Sequence, residues 1–83
     1  MKVYVVCAAV VYDGCEDWDD MKVYARKEDA FFHLHEVKKS LKKDYVEDGG
    51  WVCEESEHSI SVYLDGDYAY SHGSAYMREL EVE

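Results

Sequence analysis

The chain has 83 residues, which allows one small domain over residues 1–83 and leaves no room for a second hydrophobic core. It carries 19 acidic and 9 basic residues, for a formal net charge of −10, and 48% of its residues are hydrophobic. That hydrophobic content predicts a folded domain and argues against a disordered acidic tail. The negative charge opposes direct binding to nucleic acids and anionic membranes, and it favours basic protein partners.

Two strands are predicted at the start of the chain. Residues 3–12 are rich in β-branched and aromatic residues and end at the turn-forming pair Asp13-Gly14. Both faces of this segment are apolar, which indicates a central strand or a face kept for a partner. Residues 21–25 alternate in polarity and predict its antiparallel partner, so that residues 13–20 become an acidic connecting loop.

Residues 27–45 have the periodicity of an amphipathic helix. Acidic residues lie in its first turn, and lysines lie near its end, an arrangement that complements the helix macrodipole. This accounts for much of the basic segment in structural terms, and the alternative is a functional basic patch. The core-facing stripe is predicted to consist of Ala30, Leu34, Val37, Leu41 and Tyr45.

The remaining strands follow the glycine pair at 49–50. A short strand is predicted at 51–53, and a hairpin is predicted with strands at 58–64 and 68–71 around the turn-forming pair Asp65-Gly66. Gly73-Ser74 is predicted to bend the chain before a last strand at 76–82. That strand is expected to place Tyr76, Leu80 and Val82 inward and Met77, Glu79 and Glu81 outward.

These elements predict a two-layer α+β fold, in which an antiparallel sheet of four to five strands packs on one α-helix in ββαβββ order. One helix covers only one face of a sheet, so the other face must meet water or a partner. Tyrosine is enriched at protein interfaces because it combines apolar area with a polar tip. The alternation places six residues on that face, of which the tyrosines form the predicted self-association surface: Tyr4, Tyr12, Tyr24, Tyr63, Glu79 and Glu81.

The sequence predicts no catalytic residues, metal site or cofactor. The acids of the 13–20 segment lack the spacing of a calcium-binding EF-hand loop. His33 and His35 point about 200° apart on a helix and cannot share one ion. Cys7 lies in an apolar strand and Cys15 among carboxylates, and neither setting activates a thiol. An enzymatic function is therefore the least favoured class.

The cysteine count bears on location. Three cysteines without a Cys-x-x-Cys pair are typical of reduced thiols, although the sequence alone leaves open a bridge between Cys15 and Cys53. We therefore predict a cytoplasmic protein.

Four segments carry a resemblance to known proteins: KVYVV at 2–6, the turn at 12–14, MKVYARKEDA at 21–30 and MRELEVE at 77–83. Together they resemble a class of small phage and mobile-element proteins, in which a strand pair is followed by a helix and a Glu-rich strand. Ala25 stands where that class usually has Ser, which removes the expected helix cap. Proteins of similar size, acidity and origin resemble anti-CRISPR inhibitors, several of which are acidic mimics of nucleic acid.

The resemblance implies an inhibitor of a host defence effector, acting in the cytoplasm of the host cell. It would bind a basic host protein, such as a CRISPR effector subunit, and place carboxylates where phosphates bind. The alternative is a dimerisation or scaffold module of phage or bacterial origin with no inhibitory activity. The residues predicted to contact the partner are Asp13, Glu16, Asp17, Trp18, Asp19, Asp20, Asp44, Glu47, Asp48, Glu54, Glu55 and Glu57.

Overall fold

The structure is a computed structural model that describes residues 1–66 and 70–82, with Trp18 described by its backbone alone. Its elements are β1 (Lys2–Tyr12), β2 (Cys15–Tyr24), α1 (Lys27–Leu41), a π-helical segment (Lys42–Glu47) that continues α1, β3 (Val52–Glu55), β4 (Ser59–Tyr63) and β5 (His72–Glu81). The strands form one antiparallel sheet in the order β2-β1-β5-β4-β3. The predicted α+β fold, with one helix on an antiparallel sheet, is confirmed.

The hairpin of β1 and β2 is longer than the sequence predicts, and the expected acidic loop over 13–20 is wrong. Only Asp13 and Gly14 form the turn, with φ angles of 52° and 80°, and β2 begins at Cys15. Acidic residues have low strand propensity, but pairing with a central strand overrides it. Pairing runs from Tyr12 opposite Cys15 to Tyr4 opposite Tyr24, with a register shift between Val10 and Val11.

The core lies between α1 and one face of the sheet. The predicted helix stripe is confirmed, since Ala30, Leu34, Val37 and Leu41 are buried and Tyr45 packs against them. The helix rests on small and β-branched side chains of the central strands, which leave it room to approach. These sheet residues are Val6, Ala8, Val10, Ile60, Val62 and Ala75.

β5 is one continuous strand, so the predicted bend at Gly73-Ser74 is wrong. Gly73 pairs with Val10, and a Cβ added to it would lie 2.8 Å from Val10 Cγ2 and 3.1 Å from the Ala9 carbonyl oxygen. Glycine is therefore required by the close approach of the two strands. The predicted return strand at 68–71 lies partly outside the described residues, and Tyr70 and Ser71 form a turn and a bend.

Three of the four tyrosines predicted for the open face of the sheet lie on the helix side instead. Tyr4 and Tyr24 pack against the core on the helix side, and Tyr12 stacks on Trp51 at a ring-centroid distance of 5.9 Å. Of the four predicted tyrosines, only Tyr63 lies on the open face, because it alternates with the buried Val62. Alternation separates the two sets of side chains but does not say which set meets the helix.

The same error applies to β5. The register sets Met77 opposite Val6 and Glu79 opposite Tyr4, so these side chains lie on the helix side. Glu81, two residues beyond Glu79, follows the same alternation. The predicted inward residues Tyr76, Leu80 and Val82 instead lie on the open face, with exposed fractions of 38%, 41% and 41%.

Candidate protein-binding surface

The first acidic stretch of the sequence, residues 13–20, forms a turn and the start of an edge strand. Among the described residues, β2 has β1 on one side and no strand on the other, so its outer main-chain groups are available for pairing. Glu16, Asp17, Asp19 and Asp20 are four of the six residues from Cys15 to Asp20, and we call these four the β2 acids. Asp13 lies in the turn beside them, where its N–H donates a hydrogen bond of 3.0 Å to Ser71 Oγ.

The β2 acids divide between the two faces of the sheet. Glu16 and Asp19 pair with Val11 and Ala9, whose side chains point to the open face, and both acids are exposed. Asp17 is the extra residue at the register shift, and its Oδ2 accepts a hydrogen bond from the Tyr45 hydroxyl. Asp20 lies on the helix side, with its Oδ2 at 2.9 Å from Nε2 of His33.

The acids of the second acidic stretch, residues 44–57, lie on two different elements. Asp44, Glu47 and Asp48 lie in or just after the π-helical segment, whereas Glu54, Glu55 and Glu57 lie on or just after β3. β3 and β2 are opposite edges of the sheet, and four strand spacings make a separation of about 19 Å.

The two predicted stretches therefore do not form one surface. The end of the helix reaches β2 through the hydrogen bond between Tyr45 and Asp17, so the helical half of the second stretch adjoins the first. The acids on or just after β3 lie at the opposite edge and do not adjoin the first stretch. The sequence left open whether the two stretches share one face, and the structure divides the twelve residues between two edges.

Two lysines neutralise the Glu55 carboxylate at the β3 edge, Lys38 of α1 and Lys42 of the π-helical segment. Glu55 Oε2 lies 3.3 Å from Lys38 Nζ, and Glu55 Oε1 forms an ion pair with Lys42. The hydrogen bond from Lys42 lowers the pKa of Glu55 below its ordinary value. Lys38 is buried, and its ammonium also donates to the carbonyl oxygens of Ser56 at 2.6 Å and Glu57 at 3.2 Å. Glu55 thus has a structural role and is poorly placed to bind a partner.

Sequence reasoning missed a lysine-lined groove beside this edge. The groove has a volume of about 360 Å³ and lies along one side of the helix. The spacing of His35, Lys38, Lys39 and Lys42 places them on one helix face, and this signal could have revealed the groove. Glu47 and Glu55 contribute carboxylates to its lining, so its positive charge is partly offset within the chain.

The two histidines of α1 point to different sides, as their spacing predicts. His33 contacts Asp20 and Tyr24, whereas His35 lines the lysine groove. Phe32 is 69% exposed on the outer side of α1. The side chain of Trp18, one of the residues predicted to contact the partner, lies outside what the structure describes.

The three cysteines are separate from one another, and Tyr4 lies beside a carboxylate. Cys7, Cys15 and Cys53 are free thiols, and the bridge left open by the sequence does not form, since Cys15 and Cys53 lie on opposite edges. Burial beside the helix and the nearby Glu79 carboxylate raise the pKa of Tyr4. Across residues 1–66 and 70–82, no three or more His, Cys, Asp or Glu side chains converge as metal ligands.

No helix in the described part of the chain is both long and apolar enough to cross a membrane. No protein-family model, curated protein or solved structure matches this chain.

Proposed function

We propose that this chain is a protein-binding inhibitor of a host defence effector, which it blocks by occupying a basic nucleic-acid-binding surface. The β2 acids would take the positions of phosphates and accept charge-assisted hydrogen bonds from Arg and Lys of the effector. The resemblance of the sequence to anti-CRISPR inhibitors supports the choice of target. The β2 edge is the observation that carries the proposal.

Three properties of that edge support binding to a basic protein. The β2 acids are concentrated in six residues, and Glu16 and Asp19 form no ion pair with a lysine or arginine of the described chain. The strand has an open main-chain edge, at which an extended segment of a partner could add by β-pairing. The net charge of −10 would steer a basic partner towards the molecule and raise the association rate at low salt.

Acids on an edge strand also have a structural explanation, because charge there prevents edge-to-edge aggregation. The two explanations differ in what a charge-neutral variant does. Protection against aggregation predicts reduced solubility and no effect on an effector. Inhibition predicts loss of binding to the effector while the chain remains folded and monodisperse.

The test uses purified CRISPR effector complexes and a labelled oligonucleotide that each complex binds. The full chain should displace the oligonucleotide, and its affinity should fall by on the order of tenfold or more as salt rises from about 50 to 200 mM. Changing Glu16→Gln, Asp17→Asn and Asp19→Asn together should weaken displacement by on the order of tenfold or more. Asp17→Asn keeps an amide oxygen that can accept the hydrogen bond from the Tyr45 hydroxyl, and Asp20 is left unchanged because it contacts His33.

Exposed acids away from β2 offer a matched control. Glu36→Gln, Glu54→Gln and Glu57→Gln remove three charges from exposed positions, one on α1 and two on or just after β3. This variant should keep its affinity within about twofold. Equal losses in both variants would mean that net charge acts without a defined surface. Full displacement by the β2 variant would remove this edge from the mechanism.

A further inference from the structure

The open face of the sheet carries an apolar patch at one end. Met21 and Val23 of β2 flank the central strand on one side, and Tyr76 and Leu80 of β5 flank it on the other. Met1 and Val82 extend the alternation beyond the strands, and Val82 N–H donates a 2.7 Å hydrogen bond to the Met1 carbonyl oxygen. We call the exposed side chains of this region the open-face patch: Met1, Met21, Val23, Tyr76, Leu80 and Val82.

Most of the exposed large hydrophobic side chains of the described residues lie in this one patch. It contains six of the ten large hydrophobic side chains that are exposed in the described part of the chain, and Met21 and Val23 are 68% and 59% exposed. Isolated exposed apolar residues are common, but contiguous apolar patches on monomeric proteins rarely exceed a few hundred Å². Beneath the patch, Val3 and Cys7 are half-buried and Val5 is buried, so the surface between its members is apolar as well.

The charge of the patch differs from that of the molecule. Three sets of paired residues cross the sheet under the patch, and they contain no acid. Arg78 is the one charged residue among them. The sets are Val3 with Leu80, Val23 with Val5 and Arg78, and Met21 with Cys7 and Tyr76. A basic partner of the kind proposed above finds no carboxylate here and meets an arginine. The occupant must therefore present an apolar surface without excess positive charge.

We infer that a second copy of this chain covers the open-face patch and that the two sheets pack face to face. A two-fold axis brings the same patch from both copies together, so apolar side chains meet apolar side chains. Arg78 is exposed and lies beyond the end of β4, so its long side chain can cover apolar surface while its guanidinium stays in water. Strands of the observed lengths give the whole open face about 600 Å², and the patch occupies the end of it away from Glu16, so the buried area is that of a weak dimer that dissociates on dilution. A dimer centred on the patch leaves α1, the outer edge of β2 and Glu16 accessible, with Asp19 in the row next to Met21 at its rim.

Sedimentation equilibrium tests this inference independently of the inhibitor proposal. The full chain should sediment at twice its mass of 9.7 kDa at about 100 µM and dissociate on dilution. Added salt should leave the dimer unchanged or strengthen it, because salt screens the repulsion between two chains of charge −10. This is opposite to the salt effect expected for effector binding. The two hypotheses can therefore fail separately.

The variants exploit exposed positions, where a substitution does not disturb the core. Met21→Glu combined with Val23→Glu, and separately Leu80→Glu, should raise the dissociation constant of the dimer by at least about 100-fold, because each buries an unpaired charge. Phe32→Glu is the matched control on the outer side of α1 and should leave the dimer intact. A monomer at every concentration would overturn the inference, as would a dimer that survives the patch variants or is lost in Phe32→Glu.

Discussion

At the β3 edge, the carboxylate of Glu55 meets the side chains of Lys38 and Lys42, whereas at the β2 edge Glu16 and Asp19 form no ion pair with a lysine of the described residues. Both edges look alike in the sequence, as runs of Asp and Glu. Their difference arises because α1 and the π-helical segment that continues it direct Lys38 and Lys42 towards β3 and direct His33 and Tyr45 towards β2. An acidic run is thus a candidate binding surface only where the chain does not neutralise it with its own cations.

The largest effect expected from this comparison is at Lys38. Lys38→Met keeps the aliphatic packing but removes the ammonium that binds the Glu55 carboxylate and the carbonyl oxygens of Ser56 and Glu57. The unfolding free energy should fall by about 2 kcal/mol, since hydrogen bonds from a charged group to partly buried acceptors are lost. Urea denaturation should show a lower midpoint with an unchanged slope.

Lys39→Met is the matched control for this change. Lys39 is the next residue along the helix, and its side chain is exposed. Its replacement should change the unfolding free energy by less than about 0.5 kcal/mol. Similar losses in the two variants would show that the ties between Lys38 and the β3 edge do not stabilise the fold.

The link at the β2 edge should contribute less. Tyr45→Phe keeps the ring contact with Trp51 and removes the hydroxyl that donates to Asp17, which should cost about 1 kcal/mol of unfolding free energy. A double-mutant cycle with Asp17→Ala isolates this bond, and the coupling energy should be about 0.5 to 1 kcal/mol. Additive effects would mean that the helix end is not held to β2 by this contact.

The smallest effect is the pH dependence at Glu55. Because the pKa of Glu55 is lowered in the folded state, its ion pairs stabilise the fold above the ordinary pKa of 4.5, and this contribution is lost as the pH falls below that value. Glu55→Gln should therefore destabilise the chain at pH 7 by less than about 1 kcal/mol, since Glu55 is exposed. The difference from the wild type should shrink at about pH 3. A difference that is constant or larger in acid would contradict the assigned ion pairs.

Local patterns in the sequence were sufficient for much of the fold. The 3.6-residue period identified the buried stripe from Ala30 to Leu41, and alternation with turn-forming pairs identified β1, β4 and the second half of β5. The start of β2 was predicted too late in the chain, because its acids have low strand propensity and only pairing with β1 makes them extended. The bend predicted at Gly73 was wrong for a similar reason, because glycine is needed there for the close approach of β1.

The sequence by itself determined the net charge, the two acidic stretches and the two-layer architecture, because these depend on composition and local periodicity. Only the tertiary structure decided which side of the sheet the helix covers, and thereby which tyrosines are in the core and which apolar residues are exposed. It also separated the acids of β2 from those of β3. Both decisions depend on contacts between residues distant in sequence, about which an alternating pattern along one strand carries no information.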